Sequence, residues 1–192
     1  MARADNLYEL PGDLPVPIDD GACAHLLGMR IPSVPLMSTS GRLVDLAHPP
    51  GVTVVYCYPR TGRPDVEPPK GWNDIPGARG CTPQSCAFRD LYQEMRALGA
   101  EVLGVSTQTT EEQQEAARRL RLPFDLLSDA GLQFARALRL PTFQVDSITC
   151  IKRLTLVIHD RRIERVFYPV FPPDKNAAEV VGWLSRRGGR PA

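Results

Sequence analysis

Cys81 and Cys86 stand five residues apart in the run Gly80-Cys81-Thr82-Pro83-Gln84-Ser85-Cys86. That run carries a loop into a helix, and Pro83 suits the first turn because its missing N–H would have no partner there. A cysteine at such a point faces unpaired backbone N–H groups and the positive end of the helix dipole. These surroundings bring a thiol pKa from ~8.5 down to about 3.5–7.5, supplying the nucleophilic thiolate at neutral pH. Arg79 and Arg89 lie close enough in sequence to add positive potential.

The spacing sets a second condition. On an ideal helix, residues five apart have Cα atoms about 8.6 Å from one another, from a rise of ~7.5 Å and a rotation of ~140°. A disulfide closes only within ~7 Å. If Cys81 and Cys86 bridge, the first turn must unwind, so oxidation is coupled to a local loss of order. Taken in isolation, two cysteines at a helix start are more often buried apolar side chains than reagents. Of the remaining thiols, Cys57 lies in an apolar strand and reads as core, while Cys23 and Cys150 have no recognisable partner and read as structural. His25, His48 and His159 show no zinc spacing with them, so no metal or other cofactor is expected.

The elements that must position Cys81 follow from periodicity. Val52-Thr53-Val54-Val55-Tyr56-Cys57-Tyr58 reads as a central strand buried on both faces, ended by Pro59. A long Pro- and Gly-rich loop follows to Gly80, and loops of that length inside a domain are usually functional. Apolar positions at spacings of three and four predict one helix from Thr82 to Leu98, stopped by Gly99. Glu101 to Ser106 predicts a second buried strand, and Thr109 or Thr110 starts a helix running to about Leu120. Phe124 to Leu127 reads as a short strand, Ser128-Asp129 as the start of a helix through Leu138, and Arg153 to Ile158 with Ile163 to Phe167 as a hairpin turned at Asp160-Arg161. Gly41 to Leu46 reads as a short strand and Lys175 to Leu184 as a last helix. Together these predict an α/β, thioredoxin-like fold: a mixed central sheet with helices on both faces and an irregular amino-terminal extension over residues 1–35. The domain proper then spans 36–192.

At 192 residues, one hydrophobic core is expected. With 23 basic against 22 acidic residues and no long block of either sign, nucleic acid is not an expected partner. The first residues lack a basic segment followed by an apolar run, and no stretch approaches ~18 apolar residues. The expectation is a soluble, cytoplasmic chain without a membrane partner.

Three stretches together resemble a known family: Tyr58-Pro59 after the apolar strand, Pro76 to Asp90 around the two cysteines, and Lys152-Arg153-Leu154-Thr155. They resemble the peroxiredoxins, nearest to the bacterioferritin-comigratory or Q-type branch, and the resemblance runs from about Gly41 to Leu184. It implies a peroxidase needing no prosthetic group. Cys81 matches the peroxidatic cysteine, Cys86 the resolving cysteine, Pro59 the proline that shields the site, and Arg153 the arginine beside the sulfur. Gln84 stands where the branch carries Gln or Glu. Implied partners are a hydroperoxide substrate and thioredoxin or a similar dithiol reductant, with a monomeric state.

The family pattern is P-x-x-x-T-x-x-C, but 21 residues separate Pro59 from Cys81 here, and the position three before Cys81 is Ala78. Thr61 brought back by the loop, Thr82, or a backbone group could replace the missing hydroxyl; otherwise peroxide is held less well. Trp72 in the inserted segment 62–75 is expected either to cover the mouth of the Cys81 pocket or to anchor the loop elsewhere on the core. Two rival functions remain open from sequence: a protein thiol–disulfide oxidoreductase without peroxidase activity, and a non-enzymatic redox-sensing module.

Overall fold

A computed structural model describes residues 6–49 and 51–188. Its frame is a seven-stranded mixed sheet built outward from β3 (Val52–Cys57), whose six residues are all buried. β-Branched and aromatic side chains cover both faces of that strand, as a central position demands. β3 pairs in parallel with β4 (Ala100–Ser106) and antiparallel with β8 (Leu154–His159). Beyond β4 come β5 (Leu126–Ser128, parallel), then β1 (Pro35–Ser38) and β2 (Leu43–Asp45), both antiparallel. On the other side β9 (Arg162–Phe167) completes a hairpin with β8. Its turn residues Asp160 and Arg161 have φ of 49° and 65°, the paired positive values that a tight hairpin turn uses.

Among the described residues, five α-helices flank the sheet: α1 (Cys81–Asp90), α2 (Tyr92–Ala97), α3 (Thr110–Leu120), α4 (Gln133–Leu138) and α5 (Asn176–Gly188). Val54, Tyr56 and Val157 face one way and pack with Phe88, Met95, Val180 and Leu184 from α1, α2 and α5. Val55, Cys57 and Leu156 face the other way, against Phe134 and Leu138 of α4 and Leu26 and Ile31 of the amino-terminal segment. That segment also bonds to the sheet edge, Gly28 N to Ile163 O at 2.8 Å and Ile163 N to Met29 O at 3.0 Å.

Several elements differ from expectation for identifiable reasons. The helix expected over Thr82–Leu98 starts at Cys81 and is two helices, broken at Leu91 (φ −97°, ψ 6°). Phe88, Leu91, Tyr92 and Met95 all still reach one core, so the apolar rhythm continues through the break and conceals it. The expected strand Phe124–Leu127 lies at Leu126–Ser128, because Phe124 instead packs its ring on Tyr56 and Tyr92. The helix expected from Ser128-Asp129 begins at Gln133, yet Asp129 still satisfies its start, accepting from Phe134 N at 3.0 Å and Ala135 N at 2.8 Å. Unanticipated are β1 and a separate small hairpin, β6 (Thr142–Val145) with β7 (Ile148–Ile151), turned at Asp146 with φ 50°.

Candidate active site

Gly80 delivers Cys81 to the first position of α1 with φ 103°, a left-handed conformation natural to glycine. A Cβ there would stand 2.7 Å from both Leu10 Cδ2 and Pro173 Cγ, so the turn is also packed too closely for a larger residue. Cys81 is 3% exposed. Its sulfur accepts from Arg153 Nη2 at 3.1 Å and from the Arg60 backbone N–H at 3.4 Å; as a thiol it donates to Ala78 O at 3.7 Å.

Arg153, also 3% exposed, is oriented by the turn that precedes α1. Its Nη2 donates to the carbonyls of Gly77, Ala78 and Arg79 at 3.2, 3.1 and 3.2 Å, and its Nε to Gly77 O at 3.3 Å. Its Nη1 donates to Gln84 Oε1. These acceptors are neutral, so they satisfy a buried guanidinium without cancelling its charge. That charge is directed at the sulfur through the Nη2 donor 3.1 Å away.

Above Cys81 lies a cavity of about 260 Å³, lined on its polar side by Arg60, Thr61, Arg79, Thr82, Gln108 and Glu112 and on its apolar side by Leu7, Val66, Pro68, Pro69, Trp72 and Ile148. Thr61 is buried; its N–H and hydroxyl both donate to Gln108 Oε1, at 2.8 and 3.0 Å, and Gln108 Nε2 donates back to Thr61 O at 3.2 Å. The hydroxyl proton is therefore committed, and the oxygen's lone pairs remain available to a peroxide O–H. Thr82 is buried in the same wall. Pro59 is buried but does not line the cavity; its place is immediately before the Arg60 N–H that reaches the sulfur. Ala78 contributes only its carbonyl.

Trp72 combines packing on the core with a place in the cavity lining. It sits in a 3-10 turn, Trp72–Asp74, and packs on the β6–β7 hairpin with Phe143 (ring centroids 6.0 Å apart), Ala78, Val145 and Cys150, while one side of it remains a wall of the cavity. Gln84 is fully buried in the first turn of α1, together with Thr82, Pro83 and Ser85.

Cys86 is half-buried, and burial pushes its thiol above the ordinary value, partly offset by Arg89. Arg89 bonds to Asp90 and to Leu120 O, so it serves the Cys86 flank rather than the Cys81 sulfur. Arg79 does line the Cys81 cavity. All five cysteines are free. Burial pushes Cys150 up to about 11, with the nearby Cys81 adding to the effect, and Cys23 up to about 12. Cys57 is driven higher still by complete burial. Sequence reasoning missed the Arg60 N–H, Gln108 and Leu7. Gln108 had a positional signal, since it follows the carboxyl end of a buried parallel strand, where α/β sheets place their sites; Leu7 had none.

Known proteins resemble this chain in both sequence and fold. The family model described as Redoxin matches residues 26–181. The chain is 31% identical over 159 residues to the chloroplastic peroxiredoxin Q of Sedum lineare, covering 82% of this chain and 76% of that protein. It is 29% identical over 185 residues to that of Gentiana triflora, covering 93% and 77%. Among solved structures, peroxidoxin BcpB of Mycobacterium tuberculosis superposes with a TM-score of 0.68 at 26% identity, covering 86% of this chain and 99% of that one. A PrxQ mutant of Xylella fastidiosa, at 22% identity and a TM-score of 0.67, covers 84% and 96% and supports the fold. With a redoxin match across most of its length and Q-type relatives over the stretch that holds Cys81 and Arg153, the chain belongs to the peroxiredoxin family, in its Q-type, bacterioferritin-comigratory branch, and is a thiol-dependent peroxidase.

Proposed function

We propose that Cys81 is the peroxidatic cysteine and Cys86 the resolving one. The Cys81 thiolate attacks the terminal oxygen of a hydroperoxide, the O–O bond breaks, and the departing oxygen takes a proton to leave as alcohol or water. Cys81 is then a sulfenic acid, which the Cys86 thiol attacks with loss of water to form an intramolecular disulfide. A dithiol protein of the thioredoxin kind returns both thiols by exchange. Arg153 stabilises the thiolate and the charge developing on the departing oxygen. Thr61 orients the peroxide, with the Arg60 N–H and Thr82 beside it. The observation that carries this reading is the buried guanidinium 3.1 Å from Cys81 Sγ at the floor of a cavity.

That cavity is several times the ~30 Å³ that a water occupies in the liquid, leaving room for organic hydroperoxides as well as hydrogen peroxide. Five free thiols suit a reducing, cytoplasmic setting, and the Q-type kinship suits a monomer. The test is NADPH-coupled peroxide consumption with thioredoxin and its reductase, on wild type, Cys81→Ser and Cys86→Ser. Cys81→Ser is expected to be inactive, and Cys86→Ser to complete one oxidation without recycling. Steady turnover in Cys81→Ser would overturn the proposal.

A further inference from the structure

Behind Gln84 a buried hydrogen-bond chain leaves the site and enters the last helix. Arg153 Nη1 donates to Gln84 Oε1, and because a guanidinium has no acceptor, that bond fixes the amide's orientation. Gln84 Nε2 is left to donate onward, and does so to Asn176 Oδ1 at 3.0 Å. The same oxygen accepts from Thr155 Oγ1 at 2.6 Å. Gln84, Asn176 and Thr155 are all 0% exposed. Asn176 is the first residue of α5, and Thr155 lies in β8 two residues after Arg153. Just before Asn176, Pro173 packs against Gly80 at the head of α1. The first turn of α1 is thus fastened to the start of α5 at both its ends, Gly80 and Gln84.

We propose that Asn176 and Thr155 are positioning residues that act through Gln84 as a latch on this turn, setting how fast Cys86 reaches oxidised Cys81. The inference rests on the Cys81–Cys86 resolution proposed above. For those sulfurs to meet, the turn must unwind, which breaks the Gln84 N–H bond to Gly80 O (3.1 Å) and withdraws the Gln84 amide. Arg153 Nη1 then loses an acceptor and Asn176 Oδ1 a donor inside the core, where unpaired polar groups are costly. The attack step does not depend on the latch in the same way, because three backbone carbonyls still hold the guanidinium. The side-chain bonds beyond Gln84 both run to Asn176 Oδ1; Asn176 Nδ2 is buried without a partner among the described residues.

The chemical consequence concerns the sulfenic acid. While the latch is closed, Cys81–SOH waits for Cys86, whose attack forms the S–S bond and releases water. A second hydroperoxide competes by transferring its oxygen to that sulfur, giving sulfinic acid and the corresponding alcohol or water. A tighter latch therefore diverts more protein to sulfinic acid as peroxide rises.

Stopped-flow tryptophan fluorescence of the reduced full-length chain mixed with hydrogen peroxide separates the steps: a peroxide-dependent fast phase reports attack, and a peroxide-independent slow phase reports disulfide formation. Loss of one net hydrogen bond, about 1 kcal/mol, corresponds to roughly a fivefold faster slow phase, expected in the near-isosteric Thr155→Val. At least that acceleration is expected in Asn176→Ala, which removes the acceptor of both Gln84 and Thr155. The fast phase is expected to stay within about twofold of wild type, and sulfinic acid at high peroxide to fall. Thr155→Ser, which keeps the hydroxyl, restores the wild-type slow phase. Val180→Ala loosens the α5 core without touching Gln84 and leaves the slow phase unchanged. An unchanged or slower slow phase in Thr155→Val, or equal acceleration by Val180→Ala, overturns the latch while leaving the peroxidase reading intact. If peptide mapping of oxidised wild type finds no Cys81–Cys86 disulfide, the resolution reading fails and the latch with it.

Discussion

A guanidinium offers five N–H donors and no acceptor, so burying Arg153 commits everything around it to accept. The turn Gly77–Arg79 and Gln84 do so, and the sulfur of Cys81 is the acceptor that gains most from the positive charge. Arg153→Ala is expected to slow peroxide attack by about a hundredfold, the scale of losing one preorganised donor to developing charge. Arg153→Lys should recover only part, since an ammonium lacks the planar fork. Single-turnover oxidation measured by stopped flow checks this, and equal rates in Ala and wild type would reduce Arg153 to a packing role. Thr61→Val is expected to cost about tenfold in the same step, with Thr61→Ser near wild type, within the range for a neutral hydrogen bond. Sequence could name Thr61 and Thr82 as alternatives for the hydroxyl absent at Ala78 but could not choose, because the choice depends on how 21 intervening residues fold. Both line the cavity; Gln108 holds Thr61 there.

What was legible at the scale of elements is what a regular period encodes. The buried strand at Val52–Cys57, the helix start at Thr109 or Thr110, and the Asp160-Arg161 hairpin each carry local signals, and each forms; the structure settles the helix start on Thr109 as cap, paired with Glu112. The break at Leu91 and the hairpin Thr142–Ile151 were not legible, because the first preserves the apolar rhythm and the second is two four-residue strands made stable by the inserted segment. That insertion and the hairpin are one structural unit: Trp72 lies on Phe143 and its cluster holds Val145 and Cys150. Removing the indole therefore has two effects. Trp72→Ala is expected to destabilise the protein by about 3 kcal/mol, in the range for burying and then deleting a large aromatic, read as a lower urea midpoint. Trp72→Phe retains most of the packing but recedes from the cavity, and should lower kcat/KM for cumene hydroperoxide several-fold relative to hydrogen peroxide. An unchanged ratio would show that this wall does not touch substrate.

Across the described residues, two cores back the seven-stranded sheet, and the site lies where α1, the insertion, β7 and the amino-terminal segment converge. Leu7 lines the cavity and Leu10 abuts Gly80, so residues far from any recognisable motif help enclose Cys81. The closing contact at the opposite edge is electrostatic: Glu164 on β9 accepts from Arg187 of α5 at 2.6 Å and faces His159 Nδ1 at 3.1 Å. The Arg187 bonds hold its carboxyl below the ordinary glutamate value of 4.5, against the upward push of burial. A carboxylate lowered on folding adds stability that is whole above its unfolded value and fades as pH falls through the folded one. Glu164→Gln should then cost about 0.5–1 kcal/mol at pH 7, the range for a part-exposed pair, and the gap should close as the pH drops below 4.5; a gap independent of pH would mean that packing, not charge, ties α5 to the sheet. The central claim, that Cys81 alone is built to meet peroxide, is tested most directly by trapping the oxidised sulfur. Cys86→Ser is treated with one equivalent of hydrogen peroxide in the presence of a 1,3-dione sulfenic acid probe, and its peptides are mapped by mass spectrometry. The expected result is a single adduct on Cys81, with Cys23, Cys57 and Cys150 unlabelled; an adduct on any of those three with Cys81 still a free thiol would contradict the account.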